Sequence, residues 1–384
     1  MTKINPTNPL NIDSITNEYG LNASLNSRPL RIFTWHVHGT YLYYLSKADI
    51  IIYIPVSDKA NKEPGYGGRG TTFPFGNNVV EVPFEEIQYL EFDLILFQSR
   101  QNYLWDQFSL LTEQQRELPK IYLEHDPPRE TPTDTVHFVK DPSVLIVHVT
   151  YFNQLMWSSP WINNTVIEHG IPQMPIEYNG NLKKGIVVIN NPDKRGRRLG
   201  WDIFQEVAKT IPLDIIGMGT EAYGLGEIKH GELPAFLADY RFYFSPIRYT
   251  SLGLSTLEAM ALGIPVVGLA TTELSSVIEN EVSGFVHTDL RYLIGKMQEL
   301  LNHRGKAREM GKKGALIVKD RFALSRFIKD WESLFYEMVA YGSTGIHTAG
   351  PNLNLYYNNS HNGSIKPMDK IRADESAIKK NISL

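Results

Sequence analysis

The chain has 384 residues, with 38 Lys and Arg set against 42 Asp and Glu for a formal charge of −4. That length suits two domains, and the mild negative balance gives no electrostatic reason to expect a nucleic-acid partner. Cysteine is absent, which excludes disulfides and thiolate metal sites.

Residues 1–28 are rich in Asn, Ser and Thr and carry no apolar signal core, so they read as a loose tail without a secretory leader. No stretch is apolar for long enough to span a bilayer. Triplets such as Asn163-Asn-Thr read as chance matches to a glycosylation pattern, and a cytoplasmic location is the expectation. Order begins with Leu30-Arg-Ile-Phe-Thr-Trp35, a strand, followed by His36-Val-His-Gly-Thr40, a helix over 41–47 and a strand over 50–55. The loop holding Gly65-Tyr-Gly-Gly-Arg-Gly70 lacks the Gly-Lys-Ser/Thr ending of a P-loop. It reads as a flexible surface loop in preference to a flap over a substrate.

A strand over 93–97, one amphipathic helix over 102–118 and a strand over 120–123 lead to Glu124-His-Asp-Pro-Pro128. A strand over 144–149, a helix over 151–157 and a short strand in Thr165-Val-Ile-Glu-His-Gly-Ile-Pro172 complete the first series. Residues 173–182 read as a linker. A second alternating series follows: a strand over 185–190, a basic loop Asp193-Lys-Arg-Gly-Arg-Arg-Leu-Gly200, a helix over 201–209 and a strand over 213–217. Next come a helix over 233–239, a strand over 241–245, a helix over 274–280, the turn Val282-Ser-Gly-Phe285, and helices over 289–302, 306–318 and 324–341. Residues 342–384 read as a second loose tail. Strand and helix alternating twice over predict two α/β halves, each a parallel sheet covered by helices.

Residues 244–268 are the centre of the second half, reading as strand, glycine turn, helix, tight turn and strand. Leu254, Leu257, Met260 and Ala261 recur at helical spacing. Gly253 at the helix start leaves first-turn N–H groups open to a phosphate. Glu258 stands among Leu257, Ala259, Met260 and Ala261, where a carboxylate is costly unless hydrogen-bonded, so it points to a ligand contact. Lys194, Arg195, Arg197 and Arg198 fall between a strand end and a helix start, the edge of a parallel sheet where ligands bind. Guanidinium groups there suit a diphosphate. Gly217-Met-Gly-Thr-Glu-Ala-Tyr-Gly224 follows a strand as a dinucleotide fingerprint would, but Gly224 and Gly226 are poor helix material, so it says little for NAD.

The stretch Ser251-Leu-Gly-Leu-Ser-Thr-Leu-Glu-Ala-Met-Ala-Leu-Gly-Ile-Pro-Val-Val267 resembles the signature of glycosyltransferase family 4, and the resemblance runs on to Gly284-Phe285. More weakly it reaches Gly39, His125 and His169-Gly-Ile171. It implies an α/β GT-B fold, two Rossmann-like domains with parallel sheets facing across an interdomain cleft. Residues 29–172 would bind the acceptor and 183–323 the nucleotide sugar, with the helix over 324–341 crossing back to the first domain. The implied activity is transfer of a sugar from a nucleoside diphosphate, UDP foremost, to a glycan or glycolipid hydroxyl with retention, in polysaccharide biosynthesis. No cofactor is implied, and the absence of an Asp-x-Asp motif agrees with a donor site that needs no metal.

The same resemblance implies Glu258 on the donor ribose and Ser251, Leu252, Gly253 and Leu254 around the diphosphate, with Gly217 and Gly219 in the donor-domain glycine turn. Arg198 first, then Arg195, would grip the diphosphate, and Arg197 stands in the same loop. His125 would lie near the transferred sugar, with Glu124 and Asp126 both open as its orienting acid. Gly39 and Thr40 fall on the acceptor side, while His36, His38 and His148 read as structural. The family pattern has a second glutamate eight positions before Glu258, and this chain has Thr250 there. That departure keeps two rivals in view, a non-hydrolysing sugar-nucleotide epimerase and a non-catalytic nucleotide-sugar-binding protein. The resemblance also leaves room for a peripheral contact at the inner face of a membrane.

Overall fold

The computed structural model describes residues 28–57 and 65–342, so nearly all of the expected tails over 1–28 and 342–384 lies outside the described residues. Two parallel sheets organise the chain. The first has seven strands in the order β3-β2-β1-β4-β5-β6-β7. These are β1 (Leu30–Thr34), β2 (Ile50–Val56), β3 (Val79–Pro83), β4 (Leu94–Phe97), β5 (Lys120–Glu124), β6 (Val144–His148) and β7 (Asn164–Val166). The second has five strands in the order β12-β11-β10-β8-β9. They are β8 (Leu182–Val188), β9 (Leu213–Ile216), β10 (Tyr240–Ser245), β11 (Val266–Leu269) and β12 (Gly284–His287). Every position of β6 and of β10 is buried. Apolar runs without alternation are what a sheet covered on both faces requires.

Two strands escape the sequence reading. β3 pairs with β2 at the sheet edge, Ile52 opposite Val79, where Pro83 needs no ladder partner for a missing N–H. β12 was expected as a turn because of Ser283-Gly284. Instead Gly284 opens a strand beside Val266, and a Cβ there would stand 2.6 Å from the Val266 carbonyl oxygen. The single helix expected over 102–118 is broken into a π-helical turn Asn102–Asp106 and short helices Gln107–Leu110 and Glu113–Arg116. Thr112 starts the last of these afresh, accepting from the Gln115 N–H while the Gln115 side chain accepts from the Thr112 N–H. The basic loop is also ordered, as a helical turn Pro192–Arg195 and a 3-10 turn Gly196–Leu199.

The final helix, Leu324–Tyr341, packs on the first sheet's elements. Trp331 is fully buried and donates its Nε1–H to the Tyr41 hydroxyl at 3.0 Å. Arg326 donates to the backbone carbonyls of Glu168 and His169 at 2.9 and 2.5 Å. His169 in turn donates from Nε2 to the Leu252 carbonyl at 2.9 Å, tying the chain before the linker to the glycine turn after β10.

Burial sets the charge state of several histidines, His148 and His169 among them. His148 is wholly buried, with neither ring nitrogen hydrogen-bonded, and its pKa is pushed down to about 3. His169 is pushed down to about 4 by burial, against the opposing effect of its hydrogen bond to the Leu252 carbonyl. The unfolded chain takes up these protons near the ordinary value of 6.5, whereas the folded chain does not. Stability is therefore full above about pH 6.5 and falls as pH drops toward 4, because the unfolded state binds more protons in that window. Thermal melts are expected to shift downward between pH 7 and 5, with each histidine contributing on the order of 1–2 kcal/mol. A double replacement, His148→Phe with His169→Asn, is expected to reduce that slope, the remainder coming from the other buried histidines, His38 and His125. An equal slope in the variant would overturn the account.

Candidate active site

In open parallel sheets ligands collect outside the carboxyl ends of the strands, where the strand order reverses. In the second sheet that reversal lies between β8 and β10. The segments after these strands, 189–200 and 246–253, flank the crevice. In the first sheet the segment after β1 carries His36 to Tyr41 to the same cleft, and the segment after β5 carries His125 and Asp126.

Two adjoining cavities fill the cleft. The larger, about 460 Å³, is lined by Gly39, Thr40, Phe73, Gly217, His230 and Glu258 among others. The smaller, about 260 Å³, is lined by His125, Asp126, Arg195 and the run Thr250–Ser255. His38, Tyr41, Asn190, Leu254 and Ser255 border both.

Glu258 lies on the helix Leu254–Ala261 and is 4 % exposed. Its Oε1 accepts from the Tyr44 hydroxyl at 2.6 Å and faces His230 Nε2 at 3.1 Å. Burial first, and then the neighbouring carboxylate, raise the Tyr44 phenol well above its usual range, so it stays a donor. The carboxylate is thus held in place from both halves of the chain. Gly253 precedes the helix in extended conformation, and no side chain caps the first turn. Gly217 has φ of +136°, and a Cβ there would stand 2.4 Å from the Ile189 carbonyl oxygen, so the β9 turn can approach the β8 turn only as glycine.

The basic segment divides by partner. Arg197 and Arg248 both pair with Asp202, at 2.6 Å each, which locks the two turns together and takes Arg197 away from the cavities. Arg195 and Arg198 have no carboxylate within ion-pair distance among the described residues. Burial lowers both, and each also feels other arginines: Arg198 and Arg129 act on Arg195, and Arg129 acts on Arg198. Arg195 lines the smaller cavity, while Arg198 and Gly219 are not among the lining residues.

The histidines show what sequence reasoning missed. His38, read as structural, lies against His125 with ring centroids 3.7 Å apart. Burial pushes His38 down to about 4 and His125 well below the usual range, so both rings are neutral at physiological pH. His125 Nε2 has no hydrogen-bond partner among the described residues. Neither nearby acid orients it. Glu124 faces His137 Nε2 at 3.1 Å and accepts the Asp126 N–H, whereas Asp126 turns to Thr250 and Arg129. His36, also read as structural, borders the larger cavity and donates to the Gly68 carbonyl at 2.6 Å.

The glycine-rich loop is likewise not a bare surface loop. Gly65 and Gly67 bridge to His36 and Val56, and Phe73 reaches the larger cavity, its ring lying where a side chain on Gly39 would stand. Tyr44, His230 and Phe73 carried no local sequence signal, and only the His36-x-His38 pair ahead of a glycine offered one.

Residues 204–303 match the family model "Glycosyl transferases group 1". No curated protein sequence matches the chain. Among solved structures, sucrose-phosphate synthase from Thermosynechococcus elongatus superposes with a TM-score of 0.60 at 14 % identity, over 82 % of this chain and 99 % of that one. HepE from Anabaena, in complex with UDP and glucose, gives 0.58 at 12 % identity, over 80 % and 100 %. A variant of S. aureus TarM, in complex with fondaparinux, alpha-GlcNAc-glycerol and UDP, gives 0.51 at 17 % identity, over 63 % of this chain. The match spans about half of TarM, 55 % of its chain. The fold is GT-B.

In GT-B terms the first sheet belongs to the N-terminal domain and the second to the C-terminal domain, and both cavities lie in the cleft between them. The family match covers part of the C-terminal domain, from within the helix Trp201–Val207 to just past the helix Leu290–Asn302, and so includes Gly217, Gly253 and Glu258.

Proposed function

We propose that this GT-B chain transfers a sugar from a nucleoside diphosphate, UDP foremost, to a hydroxyl of a glycan or glycolipid, with retention at the anomeric carbon. The observation that carries the proposal is the charge layout of the cleft. Arg195, without a carboxylate partner among the described residues, lines the cavity that also reaches the uncapped helix start at Gly253. Arg198 lies three positions on in the same segment, and the buried Glu258 lies one turn into the helix. Unpaired guanidiniums beside open N–H groups suit a diphosphate, and a fixed carboxylate suits ribose hydroxyls. UDP occupies two of the similar structures, which supports it as the first donor to try.

In the proposed reaction the anomeric C–O bond to the β-phosphate breaks as the acceptor oxygen bonds to the same face. The acceptor's proton passes to the departing phosphate oxygen. Arg195, Arg198 and the first-turn N–H groups stabilise the charge that phosphate gains, so no metal is required. His125, neutral and with a free Nε2, offers one hydrogen bond to the sugar. Such an activity belongs to polysaccharide assembly on the cytoplasmic side, where a lipid-linked acceptor would make the membrane surface a peripheral partner. No helix among the described residues is long and apolar enough to cross a membrane.

A donor-hydrolysis screen over UDP-, GDP- and ADP-sugars tests the reading, with NMR of the product anomer reporting stereochemistry. Conversion of a UDP-sugar into another UDP-sugar without acceptor would instead identify an epimerase. Arg195→Ala is expected to lower kcat/KM about tenfold, the worth of one charge-assisted hydrogen bond. Arg197→Ala, which removes a surface pair with Asp202, should stay within about twofold. The reverse order of effects would move the diphosphate grip to Arg197.

A further inference from the structure

The smaller cavity holds polar groups that the fold leaves unused. Ser251, 9 % exposed, presents an Oγ with no hydrogen-bond partner among the described residues, and His125 Nε2 is equally unpaired there. Asp126 is the one acid among the described residues lining this cavity. Its Oδ1 accepts from the Thr250 hydroxyl at 3.2 Å and its Oδ2 pairs with Arg129. A carboxylate has about four lone-pair sites, so acceptor capacity remains.

Asp126 is also fixed in place. Trp157 Nε1 donates to its backbone carbonyl at 2.8 Å, and the Tyr249 hydroxyl donates to the Pro128 carbonyl at 3.0 Å. The β5 segment of one domain is thereby docked on the β10 turn of the other. Unsatisfied buried polar groups around a small cavity call for a ligand that brings its own hydroxyls. A phosphate would be repelled by Asp126 and drawn to Arg195, so the part of the ligand beside Asp126 is its neutral, polyhydroxylated part.

We infer that Asp126 is the carboxylate that reads the donor's sugar hydroxyls, delivered across the cleft by the N-terminal domain and set in register by Thr250. The inference rests on the nucleotide-sugar reading above. It explains why a threonine suits position 250: a glutamate there would bring a second carboxylate against Asp126, and the two like charges would repel. Sugar specificity then depends on both domains being docked, because the acid and its hydroxyl partner come from opposite halves.

Calorimetry with UDP, UDP-glucose, UDP-galactose and UDP-N-acetylglucosamine tests this, reading the affinity each sugar adds over UDP alone. Asp126→Asn is expected to reduce the largest such gain about tenfold, the worth of a charged hydrogen bond, while UDP binding stays within about twofold. Thr250→Glu alone is expected to lose the gain as well, and D126N combined with T250E to recover most of it, since one carboxylate then remains. An undiminished gain in D126N, a stronger one in T250E with Asp126 intact, or no gain from any of the three sugars would each overturn the inference. Failure of the unaltered protein to bind UDP at all would instead sink the donor-site reading beneath it. The T250E result stands even if D126N fails to fold.

Discussion

Replacing Glu258 with alanine is expected to weaken donor binding about 30-fold, the roughly 2 kcal/mol typical of hydrogen bonds to a buried charge. The carboxylate is 4 % exposed, and the Tyr44 hydroxyl and His230 fix its Oε1. It borders the larger cavity on the helix that begins at Gly253, which lines the smaller one. A ribose is the part of a nucleotide with paired hydroxyls at the right distance from a diphosphate to use it. Calorimetry with UDP is the measurement, and an unchanged Kd would remove Glu258 from the donor site. The same substitution leaves the buried Tyr44 hydroxyl without its acceptor, so melts should be run beside it. Glu258→Gln keeps the volume and an acceptor oxygen, and should recover stability before it recovers affinity.

The second large effect is on the frame that holds this helix. Gly311→Ala, in the helix Arg304–Arg321, is expected to destabilise the fold by about 3 kcal/mol, lowering Tm by on the order of 10 °C. A Cβ at Gly311 would stand 1.8 Å from the carbonyl oxygen of Gly263. The obstacle is backbone, so no side chain can swing aside. Gly263, with φ of +81°, closes the turn after Ala261 and passes the chain to Pro265 and β11. Any shift at this contact therefore moves the helix that bears Glu258. Gly305 lies in the same helix with open space around its would-be Cβ. Gly305→Ala should hold or raise Tm, because alanine is the better helix former by about 1 kcal/mol. Equal Tm changes in the two variants would refute the close-packing account.

The two substitutions differ in how far their reasons could be read from the residues alone. Glu258 announced itself as an acid in an apolar helix, and burial at that position needs only helical periodicity to predict. Gly311 gave no such notice, since nothing local says that a glycine in a polar helix meets the backbone of a distant turn. The same division runs through the cleft. The basic segment after β8 was legible as a group, but the expected order put Arg198 ahead of Arg195, and it is Arg195 that lines a cavity. Asp202, which takes Arg197 out of play, lies only five positions on, but Arg248, which shares that carboxylate, comes from the turn after β10. His125 was picked out by resemblance, whereas its stacking partner His38 comes from the end of another strand, 87 positions earlier by residue number. The acid expected at position 250 is missing from the sequence, and the acid that stands beside Thr250 comes from the opposite domain.

The sequence by itself determined that the chain builds two parallel α/β domains, that a helix begins at Gly253, and that an acid lies one turn along it. These follow from periodicity, turn residues and the penalty for an unpaired carboxylate, all of which act over a few residues. Only the tertiary structure decided that Arg195 and not Arg197 faces a cavity, that Tyr44 reaches Glu258, and that Asp126 meets Thr250. Those pairings depend on how the ends of separate strands converge when two sheets face each other, and no local pattern encodes that geometry.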